Sequence, residues 1–450
     1  MRRRSLIGPL LLIFIGALFL INNLRPDLIS FEIVAAYWPF VLIGWGVLRL
    51  VEILFWWLTK KPLPAYGLSG GEWVLVVFIC LIGCGLFVAH RYGPQFPPVF
   101  ISGRGVDFFG EPFDYPVSEQ RPAANIKRVV IENLRGNTRI VGSDAREIKV
   151  EGRKTIRAYN RAEADEANRK APIEIVAQGD DIVVRTNQEQ VSGERRISAD
   201  LELAVPRGVS IQASGRNGDF DVLGVNGNID ISNRGSAGVR LGDIGGNVRV
   251  DIRNSDLVRA VNVKGNVDIL GRGRDVELEN IGGNVTINGY YSGDLQCRRL
   301  AKPIQFESGQ TELRIEKVPG QFHMDLSAFS ADGLTGPVRL TAKSRDVQIE
   351  KLTNALKLSV ERGDIDLTLD PGPTGEIDAT TKDGDIELKL SASATFNLVA
   401  STESGEATNE FGPALQVKTE GRGATLSGSA GAGPKISLAT ERGSITVTRQ

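Results

Sequence analysis

Histidine is almost missing from this 450-residue chain, which has only His90 and His323. A Ser-His-Asp triad would have to run through His323, and a multi-histidine metal site has no residues to build it. His90 closes an apolar segment, and His323 reads as an ordinary side chain within a strand. The three cysteines are too few for a disulfide framework: Cys80 and Cys84 lie in an apolar run, and Cys297 stands alone. All five tryptophans (Trp38, Trp45, Trp56, Trp57 and Trp73) come early, so the remainder has none to stack on a sugar. Charge of one sign is lacking as well, with 53 Lys and Arg against 54 Asp and Glu and a net charge of -1. Nucleic-acid binding normally needs a basic face, which this balance does not supply.

Long apolar runs are present, but only at the start. About Leu6 to Leu24, about Ala36 to Leu58 and about Trp73 to Ala89 are each long enough to cross a hydrocarbon core of roughly 30 Å. Arg2, Arg3 and Arg4 precede the first run and Lys60 and Lys61 follow the second. Because positive charge beside short loops stays cytoplasmic, three spans predict an N-terminus inside and everything after Arg91 outside. A cleaved signal peptide is the competing reading of the first run, but no small-x-small site follows Leu20. Arg49 and Glu52, three apart in the second run, read as a local ion pair on one helical face. Several tryptophans sit near span ends as interfacial anchors. The expected division is a three-span unit at 1–91, a Pro- and aromatic-rich linker at 92–125, a β entry region at 126–210 and a repeat region at 211–450.

Glycine is abundant, at 51 residues, and it marks the repeat. Gly227-Asn228-Ile229, Gly246-Asn247-Val248, Gly265-Asn266-Val267 and Gly283-Asn284-Val285 recur with a period of about nineteen residues. The phase continues in weaker spelling at Ile304, Gly320-Gln321-Phe322, Val338, Leu356, Ile377 and Phe396. A second phrase lies between these marks, as in Arg274-Asp275-Val276-Glu277-Leu278 and Gly363-Asp364-Ile365-Asp366-Leu367. Each period therefore holds two short strands. Alternation points Val267 and Ile269 to one face and Asp268 to the other. Stacked coils turn the apolar positions into ladders, so the pattern predicts an all-β parallel solenoid of roughly ten coils. A β-sandwich is the alternative, although it needs no fixed period. In the entry region, about Tyr159 to Lys170 reads as a helical insert between strands.

The stretch AVPRGVSIQASGRNGDFDVLGVNGNIDI followed by GGNVRV, within Leu203 to Val250, resembles the bacterial putative-adhesin β-helix family. The likeness covers about residues 126 to 450. It implies an envelope location and supplies no catalytic residues; no cofactor or metal ligand is expected. LLIFIGALFLINNL and YWPFVLIGWGVLRL are similar to the membrane segment of Lia-type envelope-stress proteins.

Three motifs compete with structural explanations. Arg362-Gly363-Asp364 spells a cell-attachment tripeptide, yet it occupies a corner that other coils fill with Asp383-Gly384-Asp385 or Ser292-Gly293-Asp294. Asp256, Asp275, Asp294, Asp346, Asp364 and Asp385 precede equivalent strands and could form a calcium ladder, although aspartate there commonly bonds its own turn. Tyr290 and Tyr291 read as a surface bulge rather than a sugar platform. Acidic residues are spread along the coil, which argues against a carboxylate-pair hydrolase. The expected function is that of a membrane-anchored, extracytoplasmic adhesin-like structural or interaction protein, not an enzyme. Its expected partners are the lipid bilayer and an envelope protein or surface glycan. The alternative is an envelope-stress regulator whose spans contact a membrane sensor kinase.

Overall fold

The computed structural model describes residues 110–450 apart from 124, 125 and 192–196, together with isolated positions and two short strands between 43 and 107. The chain forms two compact units, Met1–Glu111 and Pro112–Gln450. In the first, Ile43, Gly46, Val47, Leu50, Val51, Leu54 and Leu58 are helical, as are Val77, Cys80 and Leu81. Among the described residues no helix is long and apolar enough to cross a membrane. The three expected spans, as continuous segments, lie outside the described residues. Phe100–Ser102 and Gly105–Asp107 pair as an antiparallel hairpin.

The second unit is all β apart from one α-helix and a single 3-10 turn among its described residues. Its coils stack two columns of strands in register. In the first column Ile229 pairs with Val248, Val248 with Val267, Val267 with Val285 and Val285 with Ile304, all in parallel strands. In the second, Leu241, Ala260, Leu278 and Cys297 stand in line. These residues are at most 3 % exposed, while the alternate positions face outward. The solenoid interior is thus made by the period-two alternation in the sequence. Burying each Val, Ile or Leu contributes roughly 1.5–3 kcal/mol. Cys297 is a small hydrophobe in such a ladder, and burial pushes its thiol well above the ordinary value.

The winding is not parallel throughout, which corrects the expectation. Leu295–Leu300 and Ile304–Glu307 both pair antiparallel with Thr311–Met324, and that strand pairs antiparallel with Ala328–Ser344. Two reversals restore the original direction, and Asp346–Thr353 then pairs in parallel. Gly320-Gln321-Phe322, expected at a coil corner, lies mid-strand with Phe322 between Cys297 and Ala331. Phe322 and Phe329 fill the core there, their ring centroids 5.6 Å apart. Alternation looks the same in a parallel coil and in a hairpin, so the pattern could not reveal the reversal.

Both ends depart from sequential stacking as well. The strands Arg128–Arg135 and Thr138–Ser143 lie between Ser210–Asn217 and Phe220–Leu223 on one side and Asp181–Arg185 and Ile197–Pro206 on the other. Glu147–Ala158 and Glu174–Gln178 close that end antiparallel. Glu111–Pro122, expected as part of the 92–125 linker, is a strand paired with Glu147–Ala158. At the other end, Lys435–Arg442 and Ile445–Arg449 insert between coil 377–390 and coil 396–410. Leu398 rather than Phe396 therefore takes the repeat phase, through its pairing with Ile436. The hairpin of Leu415–Glu420 and Gly423–Ala430 pairs antiparallel against Phe396–Ser404.

The expected helical insert is the helix Arg161–Lys170. Asn160 caps it by accepting the Glu163 N–H at 2.9 Å, and the Glu163 carboxylate accepts the Tyr159 N–H in return. Ala164 packs with Ile156, Ala158 and Ile197, and half-buried Phe113 and Tyr115 lie against them.

Candidate functional site at the winding reversal

The recurring corner residues bond from coil to coil. Asn228 Oδ1 accepts the Asn247 N–H, Asn247 Oδ1 accepts the Asn266 N–H, and Asn266 Oδ1 accepts the Asn284 N–H, at 2.8–2.9 Å. The adjoining glycines are required by closeness rather than by backbone conformation. A Cβ on Gly265 would meet the Gly246 carbonyl oxygen at 2.4 Å. A second asparagine ladder turns the next corner, where Asn262 (φ 57) and Asn280 (φ 56) adopt the left-handed conformation. Asn280 Nδ2 donates to Asn262 Oδ1 and Asn262 Nδ2 to Asp243 Oδ1, both at 2.8 Å.

The predicted aspartates form a third ladder, with bonds across coils rather than within each aspartate's own turn. Asp275 accepts the Asp294 N–H, Asp346 the Asp364 N–H, Asp364 the Asp385 N–H and Asp385 the Ser444 N–H. Asp256 is not part of it, because Leu257 pairs with Asp275. Asp364 of the cell-attachment tripeptide is therefore a ladder rung. Gly363 beside it has φ 137, and a Cβ there would meet the Arg345 carbonyl oxygen at 2.1 Å. The tyrosine pair splits: Tyr290 is exposed, whereas Tyr291 is buried in the core, and burial raises its phenol above the ordinary value. Arg49 and Glu52 lie outside the described residues.

The reversal interrupts the aspartate ladder. The Asp294 N–H is held by Asp275, but among the described residues no following N–H bonds to the Asp294 carboxylate. The next strand runs the other way and places His323 there instead, its Nε2 3.3 Å from Asp294 Oδ1. Asp325 follows at the strand end. Its Oδ1 accepts the Ser327 N–H at 2.7 Å, the Ser327 hydroxyl at 2.9 Å and the Ala328 N–H at 2.7 Å. Burial pushes the pKa of the Asp325 carboxyl up, but these bonds outweigh burial and hold it below the usual carboxylate value. One ligand atom from each of Asp294, His323 and Asp325 lies within 4.8 Å of the others.

Arg345 occupies the corner row that Gly363 continues. It is 7 % exposed, and its Nε and Nη1 have no hydrogen-bond partner. Burial pulls its pKa down, while the charge of Asp325 pulls the other way. His323 also lines a polar groove of about 320 Å³ with Gln296, Arg298, Gln321, Asp332 and Glu350. The sequence placed His323 in a strand correctly but gave no reason to join it with Asp294, which is 29 residues away; only the spacing of His323 and Asp325, two apart at a strand end, was visible.

A coiled, two-column β architecture with ladder-bonded corners defines the class of protein. Residues 126–448 match the Toastrack DUF4097 family, and the chain belongs to it. Solved structures similar to the chain include a putative cell adhesion protein from Clostridium sporogenes, at 8 % identity over 75 % of this chain and 100 % of that one, with a TM-score of 0.15. A putative adhesin from Bacteroides fragilis is 10 % identical over 75 % of this chain and 97 % of that one, with a TM-score of 0.21. A putative lipid-binding protein from Parabacteroides distasonis is 11 % identical over 74 % of this chain and 96 % of that one, with a TM-score of 0.19. Scores this low leave the fold assignment to the family match and the strand register. No curated protein matches the chain.

Proposed function

We propose that the chain is a membrane-anchored, extracytoplasmic structural or interaction protein of the bacterial cell envelope, with the solenoid as its binding part. The carrying observation is the outer surface of the solenoid, where side chains form long polar rows in fixed register. Arg139, Asp221, Arg240, Arg259 and Glu277 line up on one column, joined by pairs such as Arg259–Glu277 at 3.3 Å. Glu312, Thr341, Ser359 and Thr380 line up on the other, along a groove of about 650 Å³. Such faces are set by the strand register before any partner arrives, which suits one that follows the coil axis. The anchoring part of the proposal is supported by the basic flanks of the apolar runs. The exposed helical side chains of Ile43, Val47, Leu50, Val51, Leu54 and Leu58 recur at helical spacing and suit contact with lipid.

Residues 92–450 used as bait against fractionated envelope should retain a protein, glycan or lipid component, and no retained component would remove the interaction role. Protease added to intact cells or spheroplasts should remove the solenoid. Protection until the membrane is opened would overturn the topology. Stress-response activity that survives in residues 1–91 alone would favour the regulator acting on a sensor kinase.

A further inference from the structure

We propose that Asp294, His323 and Asp325 bind one divalent transition-metal ion of the Zn²⁺ or Mn²⁺ kind. The three ligand atoms already lie within 4.8 Å of one another. His323 Nε2 and Asp294 Oδ1 are 3.3 Å apart, a separation that two ligands of one ion at bonds of roughly 2.0–2.2 Å span. The donor set is one imidazole and two carboxylates, which suits Zn²⁺, Mn²⁺ or Fe²⁺ better than the all-oxygen preference of calcium.

The three side chains are also free for the task in a way that the rest of the aspartate row is not. Asp364 and Asp385 spend a carboxylate oxygen on the next coil, whereas Asp294 meets no such N–H because the chain reverses after it. Asp325 is oriented through Oδ1 by Ser327 and Ala328, and Oδ2 takes none of those bonds, the arrangement that outer groups impose on a metal-bound carboxylate. Arg345 lies within range of the Asp325 charge. A guanidinium 7 % exposed, with Nε and Nη1 unpartnered, calls for an acceptor that the protein does not provide. An ion held by three side chains keeps open positions for water or anionic oxygen, the kind of acceptor that Arg345 lacks.

The chain has only two histidines, so ¹³Cε1-histidine labelling of the purified full chain gives at most two imidazole signals, and His323→Gln identifies one of them. Titration with Zn²⁺ should shift the His323 signal and saturate at one equivalent, while Ca²⁺ leaves it in place. Asp294→Asn should weaken the Zn²⁺ response by more than about tenfold. Asp294 ends its ladder, so this variant should keep the wild-type circular dichroism spectrum and melting midpoint, which separates lost binding from lost folding. A His323 signal unmoved by millimolar Zn²⁺, or an unchanged affinity in Asp294→Asn, would overturn the site.

Discussion

At the scale of single residues, position within the alternation decides tolerance. Val267 is 1 % exposed and Asp268, in the same strand, faces solvent 3.8 Å from Arg249. Val267→Asp should therefore cost several kcal/mol or force protonation of the new carboxyl. Asp268→Asn should stay within about 0.5 kcal/mol. Denaturant titration of the two variants checks this, and equal midpoints would show the face assignment to be wrong. Lys154 gives a pH-dependent counterpart. It is 4 % exposed, donates to the Asn168 and Ala171 carbonyls at the helix C-terminus, and burial lowers its pKa from 10.5 to about 8. Below pH 8 the amine is charged in both folded and unfolded chains, and its burial penalty is fully present. Between about 8 and 10.5 the unfolded chain holds the proton more tightly, so stability rises with pH, by roughly 3 kcal/mol in all. Lys154→Met should abolish this rise, measured as the difference between wild-type and variant unfolding free energies across that range. A constant difference would count against a depressed lysine.

At the scale of elements, the corners carry the coil-to-coil register. Asp364 accepts the Asp385 N–H at 2.8 Å and donates its own N–H to Asp346. Asp364→Asn keeps an acceptor oxygen at the corner, whereas Asp364→Ala leaves the Asp385 N–H unpaired at a cost of about 1 kcal/mol. A melting series that ranks wild type and Asn together above Ala checks the ladder role. Ala equal to wild type would return the tripeptide to the list of recognition motifs. The repeated Gly-Asn phrase was legible in the sequence as a corner. The reason for its glycines was not, because closeness between coils exists only once they stack.

At the scale of the molecule, the non-sequential ends set how the solenoid fails. A simple repeat array loses only its last unit on truncation. Here the final strands lie between coil 377–390 and coil 396–410, so removing residues 431–450 opens an interior seam. The truncated chain should unfold at a lower denaturant concentration and with a broader transition. Loss of a single coil's worth of stability, with no broadening, would argue against the inserted arrangement. Chelator should leave the solenoid folded, since apolar ladders rather than acidic corners hold it. A melting temperature that falls strongly with chelator and recovers with calcium would restore a structural calcium ladder.

The sequence by itself determined the all-β class, the period near nineteen residues, the helix beside Asn160 and the inward faces of Val267, Ile269, Val276 and Leu278. Each of these follows from local alternation, capping chemistry or spacing, which a chain carries wherever it is placed. Only the tertiary structure decided the double reversal, the inserted last coil, the burial of Tyr291 and the meeting of Asp294 with His323. Those depend on which strand lies beside which, and period-two alternation is satisfied equally by a parallel neighbour, an antiparallel neighbour or one from the far end of the chain.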